Sequence, residues 1–160
     1  YGKVIGGGLP VGAIAGPKEI MNLLSPVGPV YHAGTFAGHP LVMACGAHVL
    51  ESVFNTRLIN SCHDYLNKLL HGLERIFQEK GVPFSFDFQG GQFGLFFQDT
   101  YPRCYTEISK EAQERFNAFY QHMRKNGVLL PPSHLEALFI SGAHDAASLN
   151  KTLEAASSAF

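Results

Sequence analysis

Three consecutive glycines, Gly6-Gly7-Gly8, follow close behind Lys3 and run into Pro10, and no other feature constrains the start of this chain as tightly. A row of glycines leaves no side chains in the way, so backbone can approach a ligand closely and the chain can turn through positive φ. That makes room beside Lys3. A lysine amine that is desolvated or set next to positive charge gives up its proton more readily, and the neutral amine can then attack a carbonyl to form a Schiff base. Local pattern leaves a second reading open, because a lysine ahead of glycines is more often a solvated turn residue. A nucleotide phosphate loop is not indicated: its Gly-x-x-x-x-Gly-Lys-Ser/Thr order is missing, since here the lysine precedes the glycines.

Beyond the glycines, Val11 to Ala15 is short, apolar and bounded by Gly16-Pro17, which predicts a buried strand with Lys3 near a strand end. Pro17 opens a short helix through Leu24, and the Pro- and Gly-rich stretch from Pro26 to His39 is loop. Within it, Gly34-Thr35 offers a hydroxyl and flexible amides ahead of a helix N-terminus, a compact phosphate cradle or a plain Ser/Thr turn. Pro40 to Phe54 is expected as a largely buried helix. Arg57 to Lys80 is a second helix, with Cys62, Leu66, Leu69, Leu73 and Ile76 on one stripe and Gly81 ending it. Asp64, Lys68, Glu74 and Arg75 fall on its wet side.

After Gly81 the pattern changes to α+β. Pro83–Phe88 and Gln92–Gln98 are phenylalanine-rich strands joined by a tight turn at Gln89-Gly90-Gly91. Few basic residues are interleaved, so a hydrophobic sheet face is indicated rather than a base-stacking surface. Ser109 to Asn126 is a helix carrying Ala112, Phe116, Phe119, Tyr120 and Met123 on one side, stopped by Asn126-Gly127. Val128–Leu130 and Leu138–Ser141 are short strands around a loop holding Ser133, His134 and Glu136. Asp145 caps a last helix that turns Leu149, Leu153, Ala156 and Phe160 inward.

Twelve lysines and arginines against thirteen acidic residues argue against nucleic acid or an anionic membrane as partner. No apolar run approaches the ~20 residues that span a bilayer, and the cytoplasm is the expected compartment. Cys45, Cys62 and Cys104 have no Cys-x-x-Cys spacing, so they are read as reduced, mostly buried thiols rather than a disulfide framework or zinc site. The eight histidines are scattered without metal-ligand spacing, and no metal is expected. No Gly-x-Ser-x-Gly elbow is present. With its best catalytic candidate at position 3, the chain is expected to be a piece of a longer protein.

The run Gly2-Lys3-Val4-Ile5-Gly6-Gly7-Gly8-Leu9-Pro10-Val11-Gly12-Ala13, the stretch from Gly28 to Pro40, Gly90 to Phe97 and Pro132 to Ala137 together resemble the class-III aminotransferases of pyridoxal-phosphate enzymes, and within them the glutamate-1-semialdehyde aminomutase branch. The resemblance covers nearly the whole chain. It implies an α/β fold, the C-terminal portion of a fold-type-I pyridoxal-phosphate transferase. In domain terms it implies the end of the large cofactor-binding domain over 1–55, a connecting helix over 56–80 and a small α+β domain over 81–160. It implies Lys3 as the catalytic amine that anchors pyridoxal 5'-phosphate, with the pyridoxamine phosphate form in the cycle. Gly34 and Thr35 then bind the cofactor phosphate across the interface of a homodimer with shared active sites. His39 stands where asparagine is usual in Gly-Asn-Pro.

The implied reaction is intramolecular amino transfer from glutamate 1-semialdehyde to 5-aminolevulinate, in tetrapyrrole (porphyrin) synthesis. Class-III transaminases resembling this chain carry an arginine for a second substrate's carboxylate near the last strand, whereas Leu138 to His144 contains none. The resemblance offers Glu136 instead, in Leu135-Glu136-Ala137, facing the substrate's amino end. An ω-aminotransferase, or a catalytically inert dimerisation fragment, are the alternatives.

Overall fold

Apolar spacing along the second half of the chain dictates where its core forms. The computed structural model describes residues 1–160 and divides into two units, Tyr1–Thr56 and Arg57–Phe160.

In the second unit, α3 (Thr56–Glu79) buries Cys62, Leu66, Leu69, Leu70, Leu73 and Phe77, one stripe at three- and four-residue spacing. Gly81 ends it in the left-handed conformation (φ 65°), while the amide of Val82 donates to the Phe77 carbonyl and that of Gly81 to Gln78. The same closure recurs after α4 (Lys110–Lys125). There Gly127 (φ 74°) takes the left-handed position and Val128 donates to Met123. Ser109 caps the other end of α4, its Oγ accepting from the Ala112 amide at 3.0 Å. α5 (Ala146–Ser157) starts on a capping box: Asp145 Oδ1 accepts from the Ser148 amide at 2.8 Å and Ser148 Oγ accepts from the Asp145 amide at 2.9 Å.

β1 (Ser85–Gln89) and β2 (Gln92–Phe96) form an antiparallel hairpin closed at Gly90-Gly91, with Asp87 opposite Gly94. β3 (Leu138–Phe139) adds to β2 with Leu138 opposite Phe93. Phe93, Leu95 and Phe97 point into the core and meet α3 and α4. Phe77 sits at the centre, in ring contact with Phe84, Phe97, Phe119 and Phe160 at 5.0–6.0 Å. Val128–Leu130 is not a strand; it leads directly into Pro131-Pro132, which have no amide hydrogens to give to a ladder.

The first unit departs further from expectation. Residues 11–15 form no strand: a single bridge pairs Gly2 with Gly12, and Ala13 donates to the Tyr1 carbonyl at 2.9 Å. They are largely exposed, and their pairing is confined to these contacts with Tyr1 and Gly2. α1 is short (Lys18–Met21). α2 (Pro40–His48), prolonged by one wider turn over Val49–Val53, buries only Val42 and Gly46. Leu41 (58%), Met43 (43%) and Leu50 (55%) stay exposed, so this helix is apolar on all sides yet not buried within these residues. Cys62 alone of the thiols is buried; Cys45 is half-buried and Cys104 exposed.

Candidate functional site

Lys3 opens a short 3-10 turn, Lys3–Gly6, inside the loop whose base is the Gly2–Gly12 bridge. Its own φ is 56°, left-handed in a residue with a side chain, a conformation that costs on the order of 1–3 kcal/mol. Close packing fixes the turn. A Cβ on Gly46 of α2 would stand 2.7 Å from the Ile5 carbonyl oxygen, and one on Gly7 would stand 2.9 Å from Val49, so glycine at both positions lets the loop lie against the helix. Lys3 itself is exposed, and its amine makes no hydrogen bond or ion pair. Lys3 thus presents an accessible, solvated amine on a backbone held in the left-handed region.

Gly34 and Thr35 lie in an exposed turn in which Ala37 donates to the Gly34 carbonyl at 2.9 Å and His39 to Phe36 at 3.1 Å. The Thr35 hydroxyl and the amides of Gly34 and Thr35 have no acceptor within the chain. Both residues are exposed, so these donors are open to solvent. No hydrogen bond joins this turn to the Lys3 loop.

Glu136 belongs to the second unit, on the wall of a pocket of about 350 Å³. Its loop is pinned by Ser133, whose Oγ accepts from the Leu135 amide at 3.2 Å and whose carbonyl accepts from the Glu136 amide at 3.1 Å. The sheet face turned away from the core supplies the opposite wall through Asp87, Gly94 and Phe96. Tyr101 crosses that face, its ring edge-on to Phe96 at 5.3 Å. Burial, reinforced by the Asp87 carboxylate, raises the Tyr101 phenol above its usual range, so it stays a protonated donor. His134 is 9% exposed, wedged edge-on between Phe96 and Phe116, and burial lowers its pKa. The pocket's charged lining consists of two carboxylates, Asp87 and Glu136, without lysine or arginine. No cluster suited to a metal ion occurs.

Asp87 and Tyr101 escaped the sequence reading. Their signal is Gly94, a glycine in the middle of a phenylalanine-rich strand, which marks close approach of another group.

The family model for class-III aminotransferases matches residues 1–156. The chain belongs to the class-III aminotransferases. It is 42% identical over 159 residues to a protein named glutamate-1-semialdehyde 2,1-aminomutase from Laribacter hongkongensis, covering 99% of this chain and 37% of that protein. The chain thus spans little more than a third of the length of this relative. Its fold matches an omega-transaminase from Sphaerobacter thermophilus with a TM-score of 0.86 at 23% identity, over 98% of this chain and 36% of that one. A glutamate-1-semialdehyde-aminomutase from Pseudomonas aeruginosa PAO1, solved in complex with PMP, matches with a TM-score of 0.68 at 19% identity, over 82% and 30%. These likenesses establish the fold as part of that of the pyridoxal-phosphate transaminases. No helix of this class-III chain is long and apolar enough to cross a membrane.

Proposed function

We propose that this chain is part of a pyridoxal-phosphate-dependent glutamate-1-semialdehyde 2,1-aminomutase, which makes 5-aminolevulinate for tetrapyrrole synthesis in the cytoplasm. The observation that carries the reading is the all-carboxylate charge of the pocket around Glu136. A second amino acid's α-carboxylate calls for a guanidinium fork, and two carboxylates repel it. The same two groups attract a substrate's ammonium, which favours keeping both nitrogen-bearing positions on one carbon skeleton. The 42% identity to a protein of that name, over nearly the whole chain, supports the same choice.

The residues present suit the cofactor: a free amine on a strained, glycine-packed turn, and a hydroxyl with two unpaired amides for a phosphate. Pyridoxal phosphate supplies the electron sink for this chemistry. Lys3 holds it through Nζ and carries a proton at that atom between the reacting carbons. Gly34 and Thr35 donate to the phosphate of the cofactor held in the partner subunit of a homodimer. Glu136 holds the substrate's amino end. On this reading residues 1–55 close the large cofactor-binding domain and residues 81–160 form the small one, while the helix over 56–80 leads from one to the other in sequence and packs into the core of the second. Given glutamate 1-semialdehyde and no second amino acceptor, the intact protein is expected to form 5-aminolevulinate; formation only after a keto acid is added would assign it to the ω-aminotransferases.

A further inference from the structure

Beside Glu136 stands a polar side chain to which neither the fold nor the proposed reaction gives work. His134 is nine-tenths buried, makes no hydrogen bond, and is held only by ring contacts to Phe96 at 6.2 Å and Phe116 at 5.9 Å. Neither ring nitrogen has a partner within the chain, although the rest of the ring is packed away between the two phenylalanines. Yet its nitrogens are not sealed off. The one fully enclosed side-chain polar atom lacking a partner in the whole chain is Ser85 Oγ, so the imidazole keeps a polar edge open, and His134 lines the pocket it shares with Glu136, Asp87 and Tyr101.

We infer that His134 is a specificity-determining residue that touches the substrate, accepting a hydrogen bond from the amino group whose charge Glu136 and Asp87 attract. This rests on the aminomutase reading and adds to it a second contact on the same short loop. A neutral imidazole always carries one unprotonated nitrogen, an acceptor that adds no charge to compete with the ammonium. Burial favours that neutral form. The aromatic slot orients the ring, and the Ser133 turn fixes the loop that places His134 two residues from Glu136. The ligand class that fits is a compact primary amine.

The test measures binding of 5-aminolevulinate and of levulinate, the same skeleton without the amino group, by calorimetry to the intact protein whose cofactor has been fixed to the chain by borohydride reduction, so that the amine binds without condensing with it. Wild type is expected to prefer the amine. His134→Phe keeps the ring contacts and removes both nitrogens, and should cut that preference about fivefold, the worth of roughly one net hydrogen bond. His134→Leu removes the nitrogens with less bulk and is read the same way should the phenylalanine variant fail to fold. His134→Gln keeps a neutral acceptor and should retain most of the preference. An unchanged preference in both His134→Phe and His134→Leu overturns this inference alone. Wild type that fails to favour the amine overturns it together with the reading of the pocket on which it rests.

Discussion

The phenol hydroxyl of Tyr101 lies over the backbone of Gly94, so close that a Cβ built on the glycine would stand 2.8 Å from Tyr101 Oη and 3.6 Å from its ring carbons. The hydroxyl alone makes the clash. Gly94 therefore keeps a strand position empty so that Tyr101 can close one side of the pocket containing Glu136.

Gly94→Ala should lose about 1 kcal/mol of stability, the low end of the usual range for overpacking, because the obstructing atom ends a half-buried side chain that borders the pocket. Tyr101→Phe in the same chain removes the obstructing oxygen and should restore most of the loss. A double-mutant cycle read by urea denaturation checks the coupling; additive effects would mean that Tyr101 does not sit where the structure has it.

Asp145 caps α5, and its hydrogen bonds from the Ser148 amide and side chain hold its carboxyl below the usual range. A depressed folded-state pKa stabilises the fold above the unfolded value, about 3.9, and that contribution fades as pH falls through the lower folded value. The Tm of Asp145→Ala should thus lie below wild type at neutral pH, with the gap closing only below about pH 4. A gap constant down to pH 2 would show that the charge has no part in the cap.

Much of the second unit was legible because each helix declares its own ends. The stripe from Cys62 to Phe77 with Gly81 after it, Ser109 and Gly127 around α4, and Asp145 before α5 are local signals, and the local backbone obeys them. The first unit was not legible in this way. Val11–Ala15 and α2 are apolar enough to demand cover, but a strand needs a paired neighbour and a buried helix needs packed faces, and these residues supply neither. Within the pocket, Glu136 was accessible through a motif. Tyr101 reaches Gly94 from seven residues further on through an irregular loop, a contact that no periodicity announces.

Thr35 gives a test of the proposed cofactor contact. With its hydroxyl and neighbouring amides unpaired in the chain, the proposed phosphate contact is a hydrogen bond to a charged group, worth at least about 1.5 kcal/mol. Thr35→Val should weaken pyridoxal-phosphate retention about tenfold in an absorbance titration of the intact protein, while Thr35→Ser stays near wild type. Equal retention in all three would remove Thr35 from the site.

The most direct measurement of the whole account counts turnovers. The intact protein, loaded with cofactor and given a large excess of glutamate 1-semialdehyde with no keto acid or second amino acid, is followed for 5-aminolevulinate formed per active site. An aminomutase regenerates its own amino donor, so the count should rise far past one and be unaffected by added keto acid. Formation that halts at about one equivalent per site, and resumes only when an external amino partner is supplied, would contradict the account.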